Sequence, residues 1–105
     1  MLTQENNVTT PTIITLDTTV AQAETLVSAD VGEEVVILYI ENNAYYDTDP
    51  IGAEIWHRLA QPMSVRALCT ALVQAYEVDA EACRADVLAF LNGAYEEGVI
   101  RIVTP

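Results

Sequence analysis

The sequence contains no lysine, and its four strong cations are all arginine: Arg58, Arg66, Arg84 and Arg101. Against them stand 16 aspartates and glutamates, for a formal net charge of −12. Such a chain repels nucleic-acid phosphates and anionic lipid, so neutral or basic partners are expected, with no nucleic acid and no membrane. No apolar run approaches the roughly 18 residues that a spanning helix needs. Met1 to Thr12 carries neither the basic nor the apolar stretch of a secretory signal, so a cytoplasmic location is expected. Cys69 and Cys83 are the only cysteines. Both fall among apolar neighbours at helical spacing and are expected as free, packed thiols. With the single histidine, His57, they cannot complete a four-ligand zinc site. None of the four glycines belongs to a phosphate-cradling loop. No nucleophile stands at a suggestive spacing from His57, and no carboxylate pattern suits calcium. The chain therefore reads as non-enzymatic, with no catalytic residue, cofactor or metal.

What is present suits one domain. A chain of 105 residues with 51% hydrophobic content can hold a single core without covalent staples. Residues 1–19 are rich in Thr, Asn and Gln and read as a flexible N-terminal segment; residues 20–105 read as the domain. Residues 24–31 carry a modest strand signal. Gly32-Glu33-Glu34 is a turn. Val35 to Ile40 is the strongest strand; its unbroken apolar run predicts a strand that is central or covered on both faces. Glu41-Asn42-Asn43 is a second turn, and Ala44 to Thr48 returns as a third strand, completing an antiparallel meander. Pro50 has no N–H to give, so the ladder stops there. Asp49 suits an N-cap and Pro50 the first helical position, predicting a helix over 50–59 with Ile51, Ile55, Trp56 and Leu59 buried. Ser64 caps a second helix over 65–76, its apolar residues recurring as Val65, Leu68, Cys69, Leu72, Val73 and Tyr76. Asp79 caps a third over 80–97, which Gly98 ends. Val99 to Val103 is a terminal extended segment that pairs weakly or covers the core. The fold class is α+β, a three-stranded antiparallel sheet followed by three helices.

At about 100° per residue, the apolar side of the third helix, with Arg84 among it, covers roughly 160°, whereas core packing alone needs roughly 100°. The surplus edge carries Arg84, Leu88, Leu91 and Tyr95. It meets a second element of the domain or it lines a groove; the sequence leaves both open. A sheet with three helices also builds winged-helix DNA readers, but helix three sets only Arg84 against Glu81, Asp86, Glu96 and Glu97, which disfavours DNA.

Tyr45 and Tyr46 point to opposite faces of the third strand, one toward the core and one toward the surface. Strand propensity alone explains them. The sharper reading is an edge that an extended peptide completes. Four net backbone hydrogen bonds contribute roughly 2–6 kcal/mol, and association costs about 4–15 kcal/mol. The edge therefore needs apolar anchors, each contributing about 1.5–3 kcal/mol. A free edge also allows self-pairing, so a monomer or weak dimer is expected.

The runs Val35-Val36-Ile37-Leu38, Asn43-Ala44-Tyr45-Tyr46 and Asp49-Pro50-Ile51-Gly52-Ala53-Glu54-Ile55-Trp56 resemble the PqqD-like family. Ser64-Val65-x-x-Leu68, Tyr76-x-Val78-Asp79 and Asp86-Val87-x-x-Phe90-Leu91 continue the likeness, which extends from about Leu26 to Val103. One departure is Asp49-Pro50, where the family often has Asn; both residues cap helices. The resemblance implies a RiPP recognition element, a winged-helix-like domain that binds the leader of a precursor peptide as a strand added to the third strand and laid against the third helix. Carried over by position, the peptide-binding residues are Ala44, Tyr45, Tyr46, Asp47, Thr48, Arg84, Val87, Leu88 and Leu91. A stand-alone chain of this kind looks like a leader-binding protein of lasso-peptide biosynthesis, serving a leader peptidase and a cyclase. The rival implication is a peptide chaperone for a radical SAM enzyme, as in pyrroloquinoline quinone synthesis; a DNA-binding regulator is remote.

Overall fold

The computed structural model describes residues 13–24, 26–39 and 44–104. The expected 41–43 turn and the segment 1–12 lie outside the described residues. In chain order the elements are β1 (Thr19–Gln22), β2 (Leu26–Val31), β3 (Glu34–Tyr39), β4 (Ala44–Thr48), α1 (Pro50–Arg58), β5 (Met63–Ser64), α2 (Val65–Tyr76), α3 (Ala80–Glu96) and β6 (Ile100–Ile102). The architecture is α+β and winged-helix-like.

The antiparallel meander forms in the order β2-β3-β4. Val31 pairs with Glu34 across a two-residue turn, and Gly32 takes the left-handed φ of 64° that so tight a hairpin demands. β3 is central, but only its inner face is covered. Val35 and Ile37 are buried, while Leu38 is 45% exposed. The lack of alternation in β3 thus reflects an apolar outer face open to solvent, and not cover on both sides.

A second sheet, not anticipated from the sequence, runs β5-β1-β6. Val20 pairs with both Met63 and Ile102, so β1 joins the connection between α1 and α2 to the C-terminal segment. Gln22 ties this sheet to α1: its N–H donates to the Leu59 carbonyl at 2.9 Å and its Nε2 to the Trp56 carbonyl at 2.8 Å. Residues 13–18, expected within a flexible segment, lie on the body. Ile14 is fully buried. Asn92 Oδ1 accepts from the N–H groups of Ile13 and Ile14 at 3.2 and 3.1 Å, and its Nδ2 donates to the carbonyls of Ile14 and Leu88.

The helices start where their caps dictate. Asp49, Ser64 and Asp79 side chains accept from the N–H groups of Gly52, Ala67 and Ala82, satisfying donors that a first turn leaves orphaned. Glu77 leaves α2 in a left-handed conformation, and Gly98 follows α3 at φ 81°. The core gathers Ile14, Val20, Ile37, Leu59, Leu68 and Leu91. Cys69 and Cys83 are free and buried, and burial pushes the Cys69 thiol up. In α1 the expected stripe needs one correction. Ala53, Ile55, Trp56 and Leu59 are buried, but Ile51 is 49% exposed, because the first turn projects it into a trough toward α3.

Replacing Asn92 with Ala removes four hydrogen bonds and orphans main-chain groups of the 13–16 segment. We expect a loss of about 1–3 kcal/mol, read as a lower midpoint in urea denaturation.

Candidate peptide-binding site

β4 is the edge of its sheet among the described residues. Thr48 is buried, and its hydroxyl both accepts from the Val35 N–H at 3.1 Å and donates to the Val35 carbonyl at 3.2 Å. The main chain of Val35 therefore faces β4. Main-chain direction alternates along a strand, and Val35 pairs with Thr48 and Ile37 with Tyr46. Thr48 and Tyr46 consequently turn their main-chain groups toward β3. Tyr45 and Asp47 turn theirs toward the open edge, two N–H groups and two carbonyls.

The side chains divide the other way. Tyr45 joins Leu38 and Val27 in one row across the outer face and is 65% exposed. Tyr46 is half-buried on the inner face, in the row of Ile37 and Ser28. Its phenol is held above the usual value of 10.0, first by burial and then by the charges of Glu97 and Asp49. Tyr39, the last residue of β3, donates from its hydroxyl to the Glu97 carbonyl at 2.6 Å and so fastens the end of α3 over this inner face. Burial, then Glu97, then Tyr46 raise the Tyr39 phenol as well.

α3 approaches β4 through Phe90. A Cβ on Gly52 would lie 3.1 Å from both Phe90 Cε1 and Thr48 Cβ, so glycine at this position lets α1, α3 and the end of β4 converge. Beside this contact opens a trough of about 310 Å³, lined by Asp49, Ile51, Ile55, Asp86, Val87 and Phe90. A second hollow, also about 310 Å³, continues from it between α1, α2 and α3, sharing Ile51, Asp86 and Val87 and adding Tyr76 and Val78. The shared lining makes one continuous apolar channel that begins where β4 ends.

The expected binding residues divide. Ala44 to Thr48 form the edge, and Val87 borders the trough. Leu91 is fully buried in the core. Arg84 lines a hollow between α2 and α3 with Arg66 and Cys69, away from β4. Leu88 lies one turn before Asn92, half-buried on the side of α3 that holds the 13–16 segment. The surplus edge of α3 therefore meets elements of its own domain: Tyr95 shares a hollow with Ile13 and Ile102. The wall beside β4 is the opposite edge, carrying Asp86, Phe90 and Glu97. Phe90 stands one turn after Val87 on the same side of the helix, outside the edge of Arg84, Leu88, Leu91 and Tyr95 that the sequence singled out. His57 is exposed, with Nε2 3.0 Å from Asp30 Oδ1. Among the described residues no group of three or more His, Cys, Asp or Glu could hold a metal, and no helix is long and apolar enough to cross a membrane.

Residues 34–100, from the central strand to the start of β6, match the family of coenzyme PQQ synthesis protein D (PqqD). The chain belongs to the PqqD family. Among functionally curated proteins none matches it. One solved structure with the same fold is TbiB1 in complex with the TbiA(beta) leader peptide. It superposes with a TM-score of 0.72 at 24% sequence identity, over 81% of this PqqD-family chain and 99% of the other.

The raised tyrosines set an alkaline limit. Their folded values lie above the ordinary 10.0, so the folded state holds their protons more tightly than the unfolded chain. The stability they contribute is complete below pH 10 and is lost as pH rises through the folded values. Urea midpoints measured on either side of pH 10 should fall less steeply with pH in Tyr39→Phe than in the parent.

Proposed function

We propose that this chain binds the leader region of a ribosomally synthesised precursor peptide as a strand added to β4, in the groove between β4 and α3. It presents that peptide to modifying enzymes and performs no catalysis itself. The observation that carries the reading is the open main-chain edge at Tyr45 and Asp47 lying beside an apolar channel. Each feature alone is insufficient: the edge supplies roughly 2–6 kcal/mol, less than most of the 4–15 kcal/mol cost of association. Two or three anchors seated against Phe90, Val87 and Ile51, at about 1.5–3 kcal/mol each, bring binding into a useful range. Membership of the PqqD family and the likeness to a chain seen with a leader peptide support the same reading.

The enzymes served are, on this proposal, the leader peptidase and cyclase of lasso-peptide biosynthesis. The family description favours a second reading, a peptide chaperone for a radical SAM enzyme of the pyrroloquinoline quinone type. DNA binding has less support than before, since Arg84, the only cation on α3, turns toward α2.

A docking surface for an enzyme is available on the outer face of the sheet. Val27, Leu38 and Tyr45 form a row across its three strands, 49%, 45% and 65% exposed, with Val31 beyond them. Grouped apolar exposure of this kind is characteristic of contact surfaces.

Asp47→Pro removes one donor from the open edge, and Phe90→Ala removes an anchor. Each should weaken binding of the precursor leader roughly tenfold or more, measured by fluorescence anisotropy with folding checked by circular dichroism. Unchanged affinity in both variants would overturn the groove. Leu38→Glu should leave leader affinity unchanged and slow leader removal when the chain is supplied to a purified leader peptidase; a rate of leader removal that is the same with and without the parent chain would point to the radical SAM partner instead.

A further inference from the structure

We infer that the groove beside β4 selects a peptide with two basic side chains, four or six residues apart, on either side of its apolar anchor. This rests on the leader-binding reading above and adds the chemistry of the ligand. At the end of β4 the trough is bordered by Asp86 and Asp49. The Asp49 carboxylate is engaged, accepting from the Gly52 N–H at 2.7 Å. Asp86 is exposed and makes no ion pair among the described residues. At the other end stands Glu97. Its carbonyl accepts from the Tyr39 hydroxyl at 2.6 Å, which places it over the inner face of the sheet, and its carboxylate likewise makes no ion pair among the described residues.

The cations that could neutralise these two groups are committed elsewhere. Arg58 bonds Glu54 at 2.6 Å, Arg66 bonds Asp17 at 3.0 Å, and Arg101 approaches Glu24 to 3.8 Å. Arg84 faces the hollow between α2 and α3. The groove is thus negative at Asp86 and at Glu97, with the apolar Phe90 between them on α3. An acidic peptide would meet uncompensated like charge at each end; a basic one meets its complement.

The helix supplies a ruler. Asp86 and Glu97 bracket the last three turns of α3, a separation of about 16 Å at 1.5 Å per residue. An extended strand rises about 3.3 Å per residue, with side chains returning to the same face at every second position. Basic residues four or six apart therefore share a face and reach the two carboxylates within the play of a Lys or Arg side chain. Both carboxylates are solvent-exposed, so each pair is worth a modest factor, roughly two- to fivefold in affinity at low salt.

The experiment uses the full chain and three synthetic β-prone peptides, identical in sequence around one central Leu except at two positions four apart. Those positions are Lys in the first, Gln in the second and Glu in the third. The expected order of affinity is Lys, then Gln, then Glu, each step roughly two- to fivefold per charged position, narrowing as salt is raised. In the double variant Asp86→Asn with Glu97→Gln the ratio of affinities between the Lys and Glu peptides should fall to about one. Equal binding of all three to the parent chain overturns the charge selection and leaves the groove standing. Failure of all three to protect the Ala44–Thr48 amides from exchange overturns the groove as well. An order that survives in the double variant overturns the assignment to Asp86 and Glu97.

Discussion

The geometry of the groove depends on one buried hydroxyl. Thr48 Oγ1 bonds both main-chain groups of Val35, which fixes the phase of the β3–β4 ladder at its last rung. Because direction alternates along a strand, that phase decides every other main-chain group on β4, and with it which of them stay open. It equally decides that Tyr46 faces inward and Tyr45 outward. The next residue, Asp49, turns the chain into α1, and Pro50 ensures that the ladder cannot continue. A strand of five residues thus ends with a defined phase directly against the close packing of Gly52 and Phe90.

Much of this was legible in the sequence, for local reasons. Asp49, Ser64 and Asp79 announced helix starts because a cap needs only its own first turn. Gly32 and the β-branched run over 35–37 announced a hairpin in the same way. The second sheet was not legible. β1 has four residues, β5 two and β6 three, and each gains its stability from partners far away in the sequence. Thr19–Gln22 alone carries no pattern long enough to distinguish a strand from a loop.

The apolar arc of α3 shows a subtler limit. Its excess width was a correct signal that the helix serves more than one neighbour. An angular count, however, gives width without a reference direction. It cannot say which edge meets the sheet and which meets the rest of the chain. The 13–16 segment held by Asn92 claims the edge with Leu88 and Tyr95, and that leaves Phe90, Asp86 and Glu97 for the groove. The same indeterminacy applied to Arg84, whose charge invited a ligand role that its position between α2 and α3 does not support.

The pairing of β1 with β6 has a consequence for how this domain can be built into larger proteins. The Val103 N–H donates to the Thr19 carbonyl at 2.8 Å, so the entry and exit of the paired body lie side by side. A domain whose two ends meet can be spliced into a surface loop of another polypeptide without stretching either connection. β4 belongs to the other sheet, so such an insertion would leave the open edge of β4 uncovered by its own attachments. Evolution or protein engineering could therefore change the host while keeping the same folded unit.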